Sequence, residues 1–137
     1  AVTIDTPGNY RDFSLEPSSL PAGTKVDSYI LHFLPNNLGQ VRGVIRFDRP
    51  VLGVLCVSDH LRSTDSLVGL SSVRYPQGRR PYRGLEPSRT GVGNPGGMKD
   101  WMPDELILSQ DRTTVAIRAF ANTERGFDQV RILTLAR

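Results

Sequence analysis

Cysteine, histidine and long apolar runs are scarce in this chain of 137 residues, and each shortage excludes a class of structure or chemistry. The one cysteine, Cys56, cannot form an intramolecular disulfide, and its apolar neighbours predict a buried small hydrophobic residue. Two histidines, His32 and His60, are too few for a copper or cupin-like centre. No apolar run approaches the roughly 20 residues that cross a bilayer, which predicts no membrane insertion.

Motifs of the common catalytic classes are missing as well. The chain has no P-loop, no H-E-x-x-H and no G-x-S-x-G. Its glycine-rich stretch GVGNPGG neither continues into Lys-Ser/Thr nor opens an apolar helix, as nucleotide-binding loops do. The sequence therefore names no reaction, and it disfavours an enzyme without excluding one.

The positive charge is carried almost entirely by arginine. The net charge is +3, from 17 basic and 14 acidic residues, and only Lys25 and Lys99 are lysines. This preference is explained either by the codon composition of a GC-rich genome or by recognition of a polyanion, because guanidinium binds carboxylate, phosphate or sulfate in bidentate fashion. The single local cluster is Arg79, Arg80 and Arg83. A nucleic-acid-binding protein usually has a broader basic stripe, so nucleic acid is not an expected partner.

Short strands separated by turns dominate the predicted structure. The 13 glycines and 10 prolines disfavour a helical bundle. Residues 40–48 alternate between apolar and polar, and the run 51–57 is apolar on both faces, which is typical of a central strand. Residues 105–110 and 113–120 predict a hairpin around Asp111. Seven or eight such strands predict an all-β fold, an antiparallel β-sandwich of the jelly-roll or Greek-key kind.

Two segments depart from this strand pattern. Residues 58–69 predict one or two short helical turns over a sheet edge, with Ser58 as a possible cap. Residues 70–104 are rich in glycine and proline, with at most a short strand in SSVRYP, and so long an irregular stretch is usually functional. Neither an internal repeat nor a linker divides the chain, which predicts a single β-sandwich domain over residues 1–137.

Several segments of the sequence match a family pattern when they are taken together. They are VDSYILHF, GVIRFDRPVLGVL, LRSTDSLVG, YRGLE, DRTTVAIR and FDQVRILT. These segments cover roughly residues 26–134 and resemble an uncharacterised β-sandwich domain of predicted exported bacterial proteins, of the kind that often carry a C-terminal sorting anchor. The resemblance implies a secreted or cell-surface location, and it implies no active-site residues.

The irregular segment contains the side chains that sugar binding needs. Aromatic rings stack on the C–H faces of sugars, while arginine, asparagine and aspartate bind the hydroxyl groups. The candidate ligand-binding residues are Trp101, Tyr82, Arg80, Arg83, Asn94 and Asp100. The sequence thus predicts a noncatalytic extracellular domain, like a lectin or a carbohydrate-binding module, that binds a polysaccharide or oligosaccharide. Its arginines favour acidic sugars, although Trp101 could instead close one end of the sandwich.

Calcium is the metal that the sequence favours. Hard oxygen ligands from loops suit this ion, and Asp65 and Glu86 are the preferred ligands. Each residue also has a structural interpretation, Asp65 as a helix cap and Glu86 as an ion-pair partner of Arg83. A zinc site is not favoured, because Cys56 and His60 lack the spacing of a known finger.

Two other functions stay open at this point. The first is a structural or protein-interaction domain of a surface or matrix assembly, which would bind its partner through a sheet edge or an apolar patch. The second is a small polysaccharide-acting hydrolase, with Glu86 and either Asp104 or Glu105 as paired carboxylates.

Overall fold

Strands make up most of the regular structure in the computed structural model, which describes residues 1–12, 19–33, 39–77, 82–85, 104–121 and 126–137. In these residues the chain forms ten strands and one helix: β1 (Val2–Thr3), β2 (Gly8–Asn9), β3 (Ser19–Leu20), β4 (Lys25–Phe33), β5 (Gly39–Arg46), β6 (Val51–Leu55), α1 (Ser58–Val68), β7 (Tyr82–Gly84), β8 (Glu105–Leu108), β9 (Thr114–Ala121) and β10 (Gly126–Leu135).

The larger sheet is built around β10. Its strand order is β1-β4-β10-β6, and the short β7 pairs with the first half of β10. All of these pairs are antiparallel except β7 with β10. Ile132 lies opposite Tyr29 on one side and Val54 on the other. Because side chains alternate between the faces of a strand, Ile132 and its neighbour Arg131 face opposite ways.

A three-stranded sheet, in the order β5-β9-β8, covers the Ile132 face and completes a β-sandwich. The core between the two sheets contains Val54, Val115, Ile117, Val130 and Ile132, all buried. The predicted hairpin between β8 and β9 is confirmed, and Arg112 in its turn has a positive φ of 58°. The all-β sandwich predicted from the sequence is therefore confirmed.

The helix α1 packs on the other face of the larger sheet. Leu61 and Val68 share a buried cluster with Leu55 and Leu133. As predicted, β6 is covered on both faces, since Val54 faces one core and Leu55 the other. It is not the central strand that was expected, because it lies at the end of the described strand order, next to β10. With 11 residues, α1 makes about three turns, more than the predicted one or two, and it packs on a sheet face rather than an edge. Within the described ranges, no helix is long and apolar enough to span a membrane.

Two local predictions were wrong. Residues 71–76 form no strand; a turn closes between Val73 N–H and the Leu70 carbonyl at 3.0 Å. Ser58 does not cap α1, because Val57 holds the N-cap position and makes no side-chain capping bond. Instead, Ser58 Oγ accepts hydrogen bonds from the N–H groups of Arg83 (3.1 Å) and Gly84 (2.8 Å). The serine side chain therefore joins the start of α1 to β7.

Candidate functional site

A buried carboxylate lies between two buried guanidinium groups where α1 meets the larger sheet. Arg83 binds Asp65 in bidentate fashion, with Nη1 donating to Oδ2 at 2.5 Å and Nη2 to Oδ1 at 2.8 Å. Arg131 Nη2 donates to Oδ1 at 2.9 Å. The Asp65 side chain is 6% exposed and both arginine side chains are 1% exposed. The two guanidiniums and the carboxylate are called the arginine cluster below.

The fold explains why these three side chains meet. On β10, Arg131 points to the helix face because Val130 and Ile132 point into the sandwich core. On α1, Asp65 lies on the same buried face as Leu61 and Val68. The pairing of β7 with β10 then brings Arg83 beside both residues.

Two glutamines extend the arginine cluster. Gln129 Oε1 accepts from Arg83 Nε at 2.5 Å, and Gln129 Nε2 lies 3.0 Å from Nδ1 of His32. Gln77 Nε2 donates to Asp65 Oδ2 at 3.2 Å. Each oxygen of Asp65 therefore accepts two hydrogen bonds from arginine or amide donors.

Tyr75 connects the arginine cluster to an open cleft. The Cζ atoms of Arg83 and Arg131 lie 5.1 and 4.8 Å from the centre of the Tyr75 ring, which is within cation–π range. The Tyr75 hydroxyl accepts a hydrogen bond from Leu70 N–H at 3.0 Å. The cleft has a volume of about 350 Å³, and the polar side chains along it are Asp65, Ser66, Ser71, Arg74, Tyr75 and Gln77.

The arginine cluster contains more positive than negative charge. Two guanidiniums face one carboxylate, and Nη1 of Arg131 is buried with no hydrogen-bond partner in the described part of the chain. An uncompensated buried charge is costly, and the ring face of Tyr75 offsets only part of that cost. The site therefore favours a further negatively charged group.

Of the residues predicted for ligand binding, Arg83 is the one whose side chain the structure describes, and it lies in this site. Arg83, predicted to contact a ligand, is buried and bound to Asp65, so it does not present its guanidinium at the surface. For Tyr82, the backbone lies in β7 and the side chain falls outside the described atoms. The other predicted ligand residues also lie outside the described residues: Arg80, Asn94, Asp100 and Trp101.

The calcium prediction concerned Asp65 and Glu86. Both oxygens of Asp65 accept hydrogen bonds from the cluster, and Glu86 lies outside the described residues. Among the residues with described structure, no three of the types His, Cys, Asp and Glu are grouped so that they could hold a metal ion. Calcium stays a prediction.

Sequence analysis missed Arg131, Gln129, Tyr75 and Gln77 as parts of a site. One signal was available for the first two. In β10, apolar Val130 and Ile132 lie on one face, while Gln129 and Arg131 lie on the other. Polar residues on a strand are normally read as exposed, and only the position of α1 shows that this face is buried.

A second polar site lies at the start of α1. Asp12 Oδ2 accepts hydrogen bonds from the N–H groups of Cys56 (2.6 Å) and Val57 (2.9 Å), while Asp12 Oδ1 lies 2.6 Å from Nδ1 of His60. Burial alone would raise the pKa of Asp12, but the hydrogen bonds from His60, Val57 and Cys56 outweigh burial and lower it. The ionised carboxylate of Asp12 thus holds the N-terminal segment against the start of α1.

The stability that Asp12 provides should depend on pH. Because the pKa of Asp12 is lower in the folded than in the unfolded protein, this stability is present above the unfolded value of about 4. It is lost as the pH falls through the folded value. We expect Asp12→Asn to lower the free energy of unfolding by about 1–3 kcal/mol at pH 7 and by less at pH 3. Urea unfolding at both pH values measures the difference.

The control is Asp48→Asn, which removes an exposed carboxylate that pairs with Arg137 on the surface. Its effect should stay below about 1 kcal/mol at both pH values. An Asp12→Asn protein with the same stability as the Asp48→Asn protein at pH 7 would contradict the assigned role of Asp12.

The arginine cluster and its cleft bring guanidinium, aromatic, amide and hydroxyl groups together. Guanidinium groups bind oxyanions, and an aromatic ring with nearby amides and hydroxyls suits a polar ring such as a sugar. Comparisons with protein-family models, with curated proteins and with solved structures each found no match to the chain. The functional argument therefore rests on the geometry of this site.

Proposed function

We propose that the protein is a noncatalytic extracellular domain that binds an acidic polysaccharide or oligosaccharide at the face formed by residues 70–104. The observation that carries this proposal is the cleft at the start of that segment. Arg74, Tyr75 and Gln77 line it, and the arginine cluster with its excess positive charge lies next to it.

Each group at the cleft has a role in this proposal. Exposed Arg74 forms a charge-assisted hydrogen bond with a sugar carboxylate or sulfate. The Tyr75 ring packs against a sugar C–H face, and the hydroxyls of Ser66 and Ser71 bond to sugar hydroxyls. Trp101 and Tyr82, the aromatic residues predicted from sequence to stack on the sugar, belong to the same segment of the chain.

Titration calorimetry with an oligogalacturonide and with a neutral oligosaccharide of equal length tests the proposal. We expect the acidic sugar to bind more tightly, and we expect Trp101→Ala combined with Tyr82→Ala to weaken binding about tenfold or more. Arg74→Gln should also weaken binding of the acidic sugar.

Arg49→Gln is the matched control, because it also removes the charge of an exposed arginine, in the bend before β6. It should leave the affinity unchanged at 0.15 M salt, where distant charges are largely screened. Binding that survives the double aromatic substitution would rule out the proposed face, and a protein without affinity for any sugar would rule out the function.

An exposed apolar row favours the second candidate, a protein-interaction domain. Val44 and Ile107 are 71% and 54% exposed, and they lie on either side of Ala116 on the outer face of the three-stranded sheet. Arg42 and Glu105 flank this row. Exposed apolar patches with a polar rim are typical of interaction surfaces. This candidate predicts no sugar affinity, so the calorimetric titration separates the two functions.

A further inference from the structure

Among the described residues, Asp65 is the one carboxylate that pairs with the two guanidiniums of the arginine cluster. Arg83 uses all three of its guanidinium nitrogens, on Asp65 and Gln129. Arg131 uses Nη2 on Asp65, and its buried Nη1 has no partner in the ranges described. One more carboxylate would balance the two guanidiniums and give Nη1 an acceptor.

The cleft gives such a group a path to the cluster through Tyr75. The Tyr75 ring contacts both guanidiniums and also lines the cleft. Its hydroxyl is tied by an exposed hydrogen bond from Leu70 N–H. At position 69 a Cβ atom would lie 2.8 Å from Tyr75 Cε2, so Gly69 lets the ring occupy this place. Displacing the ring breaks one exposed hydrogen bond and replaces two cation–π contacts by contacts with an anion.

We propose that the arginine cluster is an inner subsite for the carboxylate of an acidic sugar, which reaches Nη1 of Arg131 when the Tyr75 ring moves aside. This inference rests on the proposed function, because the sugar that occupies the cleft delivers the carboxylate. It goes further by assigning recognition of one carboxylate to a buried guanidinium, in addition to the contact with exposed Arg74. The sugar then carries a carboxylate, as a uronic acid does, since a neutral sugar offers no anion to the cluster.

The test compares a galacturonic-acid oligosaccharide with its methyl ester, which has the same ring and no charge. In the unsubstituted protein, the acid should bind at least about tenfold more tightly, the effect expected of one charge-assisted hydrogen bond. The preference for the acid should be smaller in Arg74→Gln but should persist, because the buried guanidinium of Arg131 is unchanged there. Sodium acetate at equal concentration should not compete, since it lacks the sugar.

A second measurement, by NMR, reports on Arg131 directly. The sugar is added to the unsubstituted protein, so this binding measurement needs no variant of the arginine cluster. In proton–nitrogen correlation spectra, the Nε–Hε signal of Arg131, assigned with Arg131→Lys, should shift on addition of the acid and stay in place with the ester. Should Arg131→Lys not fold, the signal is assigned from triple-resonance spectra of the unsubstituted protein.

The outcomes separate the two proposals. If acid and ester bind equally, or if the preference for the acid disappears in Arg74→Gln, the inner subsite is wrong while glycan binding stands. An acid preference without a shift of the Arg131 signal also overturns the subsite. If neither oligosaccharide binds, the proposed function itself fails.

Discussion

Asp65→Ala is expected to lower the free energy of unfolding by about 3–5 kcal/mol, which would leave little or no folded protein at 37 °C. The substitution removes the carboxylate that neutralises Arg83 and Arg131 and leaves two like charges buried side by side. It also removes four hydrogen bonds that join α1 to β7, β10 and Gln77. Asp65→Asn should cost nearly as much, because the amide keeps the shape of the side chain but cancels its charge.

Asp59→Ala on the same helix is the matched control. Asp59 also pairs with an arginine, Arg62, at 2.6 Å, but its side chain is 92% exposed. An exposed pair of this kind contributes up to about 1 kcal/mol. Urea unfolding followed by circular dichroism measures both variants. Similar losses for Asp59→Ala and Asp65→Ala would mean that Asp65 is not buried between two charges.

The strands of the sandwich were predictable because their sequences follow simple alternation. In β5, Val41 and Ile45 lie on one face, although exposed Val44 on the other interrupts the alternation. β10 places Val130 and Ile132 on one face. β6 is apolar throughout because both of its faces are covered. In each case the local sequence carries the information about burial, and the predicted strand agrees with the structure within a few residues.

The length of α1 was harder to predict, for a physical reason. Its buried positions are Ser58, Leu61, Thr64, Asp65 and Val68, and three of these five are polar. An amphipathic helix is recognised by an apolar stripe, and here the stripe is interrupted where the helix contacts Arg83, Arg131 and β7. Asp65, which forms the arginine cluster, is one of the buried polar residues that make the full length of α1 hard to predict.

The arginine cluster could not be predicted from spacing. Asp65 is separated by 18 residues from Arg83 and by 66 from Arg131, and only the tertiary fold brings them together. Sequence analysis grouped Arg83 with Arg79 and Arg80 as a local basic cluster, and nothing in QGRRPYRG indicates that its side chain is buried against Asp65. Its place on β7, next to β10 and beneath α1, decides that it is buried.

Gly84→Ala is expected to destabilise the protein by about 3 kcal/mol or more. A Cβ atom at position 84 would overlap the carbonyl oxygen of Cys56 and lie 2.6 Å from the Ser58 nitrogen. Both are backbone atoms at the corner between β6 and α1, so no flexible side chain can move away, and overpacking of this kind costs about 1–3 kcal/mol or more. β7 would have to retreat from Ser58, breaking the 2.8 Å bond from Gly84 N–H to Oγ.

Gly43→Ala is the control, because a Cβ atom at position 43 has no other atom within 4 Å. Its stability should stay within about 0.5 kcal/mol of the unsubstituted protein, or rise slightly, since alanine reduces the freedom of the unfolded chain. Thermal and urea unfolding of the two variants give the comparison.

Gly84→Ala should also affect the arginine cluster. Since Arg83 directly precedes Gly84, retreat of β7 also pulls the guanidinium away from Asp65. Surviving Gly84→Ala protein should therefore have a weaker preference for the acidic oligosaccharide over the methyl ester, because the arginine cluster loses the contribution of Arg83. Full stability and full preference would show that β7 does not lie against the β6–α1 corner.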